Sequence, residues 1–235
     1  MDFFLARSCV AALALLSGSA WAQEKSAEAK TEAFSFSGTV AATTDYVYRG
    51  LTLSKGRPAI QSSLTVQHET GLFASVSLSN VNLDGGGYIE IASSAGFTQE
   101  IGNLRYAVML NHYGYPQQDR GSEISFFEFG AIGAYTWDKL KFTAQTYLSP
   151  NTSGPLGGRS YYLNGGLAYT VVDGLEVSAG VGRSIYQMSN DYSDFNATVA
   201  YTWEPATLQV KYTTTRPSLP GFGGDRITAS LTFGF

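Results

Sequence analysis

The sequence predicts an all-β chain that closes into an antiparallel transmembrane β-barrel of about twelve strands. Three observations predict it. Residues 226–235 alternate strictly between polar and apolar, tight and long connections take turns along the chain, and the apolar face of the strands is nearly free of charge. Such a face also suits the core of a soluble secreted β protein, so it is the combination that selects the barrel.

The elements follow from the N-terminus onward. Residues 1–22 hold one basic residue, Arg7, an apolar run over 9–16 and the small-residue motif Ala20-Trp21-Ala22. This is the form of a cleaved export signal, which leaves Gln23 as the first mature residue. The run is too short for a helical span, and no later stretch approaches the ~20 consecutive apolar residues one requires. Cys9 is the single cysteine and departs with the signal. The mature chain is therefore expected to hold no disulfide, thiol nucleophile or thiolate metal site. Residues 23–33 are polar, charged and Ala-rich, and read as a short periplasmic tail. The barrel is expected over 34–235.

Within it the alternation gives strands at 34–48, 59–68, 72–80, 88–99, 104–113, 124–137, 140–149, 160–171, 175–185, 194–203, 206–214 and 225–235. The connections at 69–71, 100–103, 138–139, 172–174 and 204–205 are tight. Those at 49–58, 81–87, 114–123, 150–159, 186–193 and 215–224 are longer and carry the glycine-rich stretches. Antiparallel neighbours put all tight turns at one end and all long loops at the other, as periplasmic turns and extracellular loops do. An even strand count leaves both termini at the periplasmic end. Pro58, Pro116, Pro150, Pro155, Pro205, Pro217 and Pro220 are all expected in connections, because proline cannot donate to a sheet ladder.

Three strands show the two faces most plainly. Over 140–149, Leu140, Phe142, Ala144, Thr146 and Leu148 oppose Lys141, Thr143, Gln145, Tyr147 and Ser149. Over 160–171, Tyr161, Leu163, Leu167, Tyr169 and Val171 oppose Tyr162, Asn164, Ala168 and Thr170. Over 206–214, Leu208, Val210 and Tyr212 oppose Thr207, Gln209, Lys211 and Thr213. A lipid-facing cation at mid-depth costs ~2–4 kcal/mol, which explains the charge-free face. Aromatic residues gather near strand ends on that face: Phe34, Phe36, Tyr46, Tyr48, Tyr135, Trp137, Tyr161, Tyr169, Tyr201, Trp203, Phe233 and Phe235. They are expected to form interfacial girdles. The last strand presents Ile227, Ala229, Leu231, Phe233 and Phe235 on one side. It has the form of the terminal strand read by the barrel assembly machinery, with Ser230 where that signal usually has glycine.

The polar face carries both signs. Asp45, Arg49, Glu90, Arg105, Glu128, Lys141, Glu176, Asp194, Lys211 and Arg226 are expected in the lumen, either bracing the wall in pairs or lining a pore. Of these, Asp45, Arg49, Glu90, Asp194 and Arg226 fall toward the loop end and predict a charged mouth.

Other function classes find little support. With a formal charge of −4 and few charged residues, the chain is a poor nucleic-acid binder. Only His68 and His112 are available as bases, on different strands and without a neighbouring nucleophile. They make a poor metal site as well. Phosphate-loop, dinucleotide and nucleophile-elbow motifs are absent. No enzyme activity and no cofactor are expected.

Asp45-Tyr46-Val47-Tyr48-Arg49-Gly50 is followed by Lys55-Gly56-Arg57-Pro58-Ala59-Ile60-Gln61, then by His68-Glu69-Thr70-Gly71-Leu72-Phe73-Ala74, Ser79-Asn80-Val81 and Tyr88-Ile89-Glu90. This run resembles the proteobacterial Gcw_chp family, also described as the TorF family of porins. The resemblance is densest over about 40–90 and implies a Gram-negative outer-membrane location and a channel. It supplies no substrate. The expected partners are the outer-membrane bilayer, the assembly machinery and small hydrophilic solutes diffusing through a polar lumen. The other reading is a closed structural or adhesive barrel that binds partners through its long loops. The solute and the oligomeric state are not specified by the residues.

Overall fold

The computed structural model describes residues 33–84, 86–120, 124–152, 158–219 and 221–235. The expected signal at 1–22, the tail up to residue 32, Gly85, Gly157, Pro155 and Pro220 lie outside the described residues.

The chain forms β1 (Phe34–Thr43), β2 (Val47–Tyr48), β3 (Leu51–Thr52), β4 (Ala59–His68), β5 (Leu72–Asn80), β6 (Ile89–Ile101), β7 (Leu104–Gly114), β8 (Phe126–Trp137), β9 (Leu140–Thr152), β10 (Gly158–Val172), β11 (Leu175–Tyr186), β12 (Tyr192–Trp203), β13 (Ala206–Arg216) and β14 (Arg226–Gly234). Twelve of these, all but β2 and β3, close into one antiparallel barrel in chain order. Closure leaves no unpaired sheet edge, which is the condition for a sheet to stand in lipid.

The closing seam joins β1 to β14, in register from Thr39 opposite Gly234 to Thr43 opposite Ser230. Gly38 and Phe235 extend it by exchanging backbone hydrogen bonds of 2.8 and 3.0 Å. The Phe235 ring also lies over Gly38, so that a Cβ there would stand only 2.5 Å from its Cζ.

Alternation works as the physics of a pleated wall requires. Ile60, Leu64, Val108, Phe129, Leu163, Leu167, Val199, Val210 and Ile227 are exposed on the outer face. Their sequence neighbours Ser63, Ala107, Glu128, Tyr162, Ala168 and Thr228 are buried inside. An outer surface of this composition is stable against hydrocarbon and not against water. Phe34, Phe36, Tyr135, Trp137, Tyr161, Tyr169, Tyr201, Trp203, Phe233 and Phe235 are all exposed on it. Both histidines, half-buried, pack against aromatic residues of the outer face. His68 packs edge-on against Phe34 with ring centres 4.8 Å apart, and His112 tilts against Phe127 at 4.5 Å.

Three expectations are corrected. The first strand ends at Thr43, not at residue 48, because the chain then turns into the barrel as the small β2–β3 sheet. Tyr46 and Tyr48 are therefore buried inside the loop end and are not girdle residues. Pro150 lies within β9. The register shifts there, with Ser149 opposite Ser160 but Thr152 opposite Gly158, and this bulge spares the proline a ladder N–H. The loop expected at 150–159 shortens accordingly.

The interior is uneven. Phe73, Ala107, Met109, Ile132, Tyr147 and Tyr162 pack together inside the wall. Gly96 and Gly130 make room for them: a Cβ at Gly130 would meet the Tyr147 ring at 2.8 Å, and one at Gly96 would meet Phe73 and Met109 at 2.9 Å. The lumen on this side is filled by side chains, and its free space is displaced toward β9–β13.

Candidate functional site

The site begins at the first loop. Tyr48 pairs with Leu51 and Val47 with Thr52, leaving Arg49-Gly50 as a two-residue turn. Both residues have positive φ, 46° and 80°, as a tight hairpin turn with the correct twist requires. Gly50 satisfies this freely, whereas Arg49 adopts a conformation that side chains disfavour. Gly50 also seats the tip against the wall, because a Cβ there would stand 2.6 Å from Thr215 Cγ2 and 2.8 Å from Asp194 Cβ.

Arg49 points across the barrel. Its guanidinium donates to both oxygens of Glu128 in β8, at 2.9 and 3.0 Å. The same group lies over the rings of Tyr48, Tyr147 and Tyr162, at 4.6, 4.8 and 4.2 Å from their centres. A planar cation on a bidentate carboxylate and between aromatic faces is the geometry for which arginine, and not lysine, is suited.

Asp45 organises the base of the hairpin. It accepts hydrogen bonds from the Thr52 and Ser54 hydroxyls, from the Gly56 amide and from Arg226 in β14. Glu90 of β6 is buried and accepts from the phenols of Tyr46 and Tyr115, at 3.0 and 2.6 Å. Around these polar anchors, Tyr46, Tyr48, Leu51 and Leu53 form an apolar core with Val81, Leu83, Tyr113, Tyr115, Ile124, Phe126, Tyr192 and Leu219. Backbone bonds from Asn82 to Leu53 and from Thr52 to Phe222 tie the hairpin to two other loops. The loop end of the barrel thus holds a packed plug.

Below the plug lies a polar vestibule of about 750 Å³. It runs from the hairpin tip at Tyr48–Gly50 to the turns at 173–174 and 204. Lys141 of β9 and Glu176 of β11 pair there at 3.2 Å. Asp194, Asn196, Gln209, Lys211 and Thr213, on the neighbouring strands β12 and β13, line it further round. Asp194 Oδ1 accepts from the Tyr162 phenol at 3.3 Å.

The ten expected lumen residues therefore divide. Asp45, Glu90, Glu128 and Arg226 belong to the plug, and Lys141, Glu176, Asp194 and Lys211 line the vestibule, with Arg49 at the boundary. Arg105 is half-buried on the inward side of β7, apart from both groups. The expected charged mouth is corrected: Asp45 pairs with Arg226 and Arg49 with Glu128, and Glu90 is buried against the phenols of Tyr46 and Tyr115. The reading of the residues missed the hairpin itself, although Val47 to Thr52 continues alternating on both sides of a turn glycine. It also missed Tyr115, Tyr147 and Tyr162, whose roles appear only when distant strands meet. Among the described residues, no group of three or more histidine, cysteine, aspartate or glutamate side chains is placed to hold a metal ion.

A family profile described as "Bacterial protein of unknown function (Gcw_chp)" matches residues 26–232. The chain belongs to the Gcw_chp family. The match contains the hairpin, the plug partners and the vestibule lining, so the site of this Gcw_chp barrel lies wholly within the family segment. No curated protein sequence matches the chain. Among solved structures, the KdgM porin is similar with a TM-score of 0.61 and 10% identity, covering 85% of this chain and 99% of that one. The NanC porin is similar at 0.53 and 8%, covering 85% and 98%. An outer-membrane channel from Pseudomonas putida F1 is similar at 0.53 and 10%, covering 87% and 96%. At these identities the likeness is one of fold: these outer-membrane porins and channels share the closed antiparallel barrel.

Proposed function

We propose that this chain is a small channel of the Gram-negative outer membrane that passes small hydrophilic solutes by passive diffusion. The observation that carries the reading is a polar vestibule of about 750 Å³ enclosed by a wall whose outer face is apolar. A polar lumen lowers the cost of moving a hydrated solute through hydrocarbon, and opposed charges along it set preference. The similarity in fold to porins supports the same reading. In this arrangement the tight turns face the periplasm and the loops face outward. Lys141, Glu176, Asp194 and Lys211 line the path, and Asp45, Arg49, Glu90, Glu128 and Arg226 hold the plug that sets how much of it is open. The last strand, β14, engages the assembly machinery.

A second reading is a closed barrel that binds partners through its loops. The plug favours it, because the first loop is anchored by buried ion pairs and a packed apolar core. Planar-bilayer recording on refolded residues 23–235 separates the two. Discrete, reproducible single-channel steps support the channel. Folded, heat-modifiable protein that never conducts supports the closed barrel.

A further inference from the structure

The vestibule wall formed by β12 and β13 holds more polar capacity than the protein uses. Asp194 is 2% exposed, and its Oδ2 has no hydrogen-bond partner among the described residues. Thr213 Oγ1, buried on the adjacent strand, likewise has none. Both residues line the vestibule. Lys211 lines it too, interacts with Asp194 only through the electrostatic field, and makes no ion pair with a described residue. Asp194 stands opposite Thr215 and Lys211 opposite Thr198, so the two charges sit four residues apart in register. That is roughly 13 Å along the wall before the side chains reach toward each other. Gly182 is part of the arrangement, because a Cβ there would collide with Asp194 Oδ2 and the Tyr162 phenol oxygen.

A buried carboxylate oxygen with no donor is costly unless something supplies one. The Lys141–Glu176 pair, between β9 and β11, already satisfies itself, whereas Asp194 and Lys211 sit four residues apart in register. A solute with a cationic or donor-rich end and an anionic end, spaced to match, satisfies both at once. A simple anion meets Asp194 unfavourably, and a simple cation meets Lys211 unfavourably.

We propose that the β12–β13 wall of the vestibule is a binding subsite for a small zwitterionic solute. Its ammonium end is taken by Asp194 and Thr213, and its anionic end by Lys211. This deepens the channel reading and rests on it only for the route by which the solute arrives.

The test is calorimetric titration of the refolded barrel, residues 23–235, in detergent. The probes are 6-aminohexanoate and two analogues on the same six-carbon chain with one charge each, 6-aminohexanamide and 6-acetamidohexanoate. The zwitterion is expected to bind about tenfold or more tightly than either analogue, since each loses one charge-assisted contact. Asp194→Asn should abolish the advantage over 6-acetamidohexanoate, and Lys211→Gln the advantage over 6-aminohexanamide. Asp194→Asn should leave 6-acetamidohexanoate unchanged or better bound, which mere loss of folding would not produce. Equal binding of all three probes, no binding, or an advantage that survives both substitutions in heat-modifiable, folded barrels overturns the proposal. Binding by a barrel that never conducts leaves the subsite standing and removes the channel; conductance without binding does the reverse.

Discussion

Arg49 and Glu128, 79 residues apart in the chain, meet through two parallel hydrogen bonds inside the barrel. One comes from the tip of a hairpin and the other from the wall, and their side chains are 7% and 2% exposed. This contact fixes where the first loop lies.

Because the pair is buried, removing one partner strands the other charge. Arg49→Ala and Glu128→Ala are each expected to destabilise the folded barrel by about 3–5 kcal/mol, and the double substitution by clearly less than their sum. Urea unfolding in detergent, followed by tryptophan fluorescence, measures all three. Additive losses would show that the pair is not coupled.

Releasing the hairpin should also change the path through the barrel. With the double substitution, single-channel conductance is expected to rise over that of the unaltered chain, because the plug no longer has its anchor on β8.

Gly50→Ala should lift the tip from its seat. The added Cβ combines a disfavoured positive φ with contact against Thr215 and Asp194. The expected cost is of order 1–3 kcal/mol. The Lys55–Gly56 bond, at the exposed end of the same loop, should then be cut faster by trypsin added to intact proteoliposomes. Unchanged cleavage would mean that the tip tolerates the substitution without moving.

The two faces of β12 should respond oppositely to charge. Val199 is exposed on the outer wall and Thr198 lines the vestibule. Val199→Arg is expected to cost about 2–4 kcal/mol in a bilayer, and Thr198→Arg far less, since its head reaches the polar lumen. Unfolding titrations in lipid vesicles compare them directly. Equal costs would contradict the assignment of faces.

At the seam, Phe235→Ala should lower the yield of folded barrel, because the ring covers Gly38 where β1 meets β14. The heat-modifiable fraction on gels reports that yield.

The wall was legible in the residues because period-two alternation and turn spacing are local signals. β4 and β5 run over the predicted 59–68 and 72–80, and most other strands end within two residues of their expected limits. The aromatic girdle was equally legible from Tyr135, Trp137, Tyr201 and Trp203. Tyr46 and Tyr48 were misplaced for an instructive reason. Alternation continues unbroken from β1 into the hairpin, so their parity looks outward, yet the chain changes direction after Thr43. Charge placement was partly legible. Parity puts Glu90, Glu128 and Asp194 inside, but nothing local says that two tyrosines will enclose Glu90 or that Arg49 will reach across to Glu128. Those facts depend on barrel diameter and on the direction a loop takes, which only long-range pairing decides.

The hairpin's anchors are spread along the whole chain: Glu90 in β6, Glu128 in β8, Phe222 in the last loop and Arg226 in β14, which is 181 residues from Asp45. Contacts of such sequence separation form late, because each must wait for the intervening chain to be ordered. The seat of the segment that follows β1 is therefore complete only when strands from β6 to β14 are all in place, so the first loop's position depends on the closure of the whole barrel.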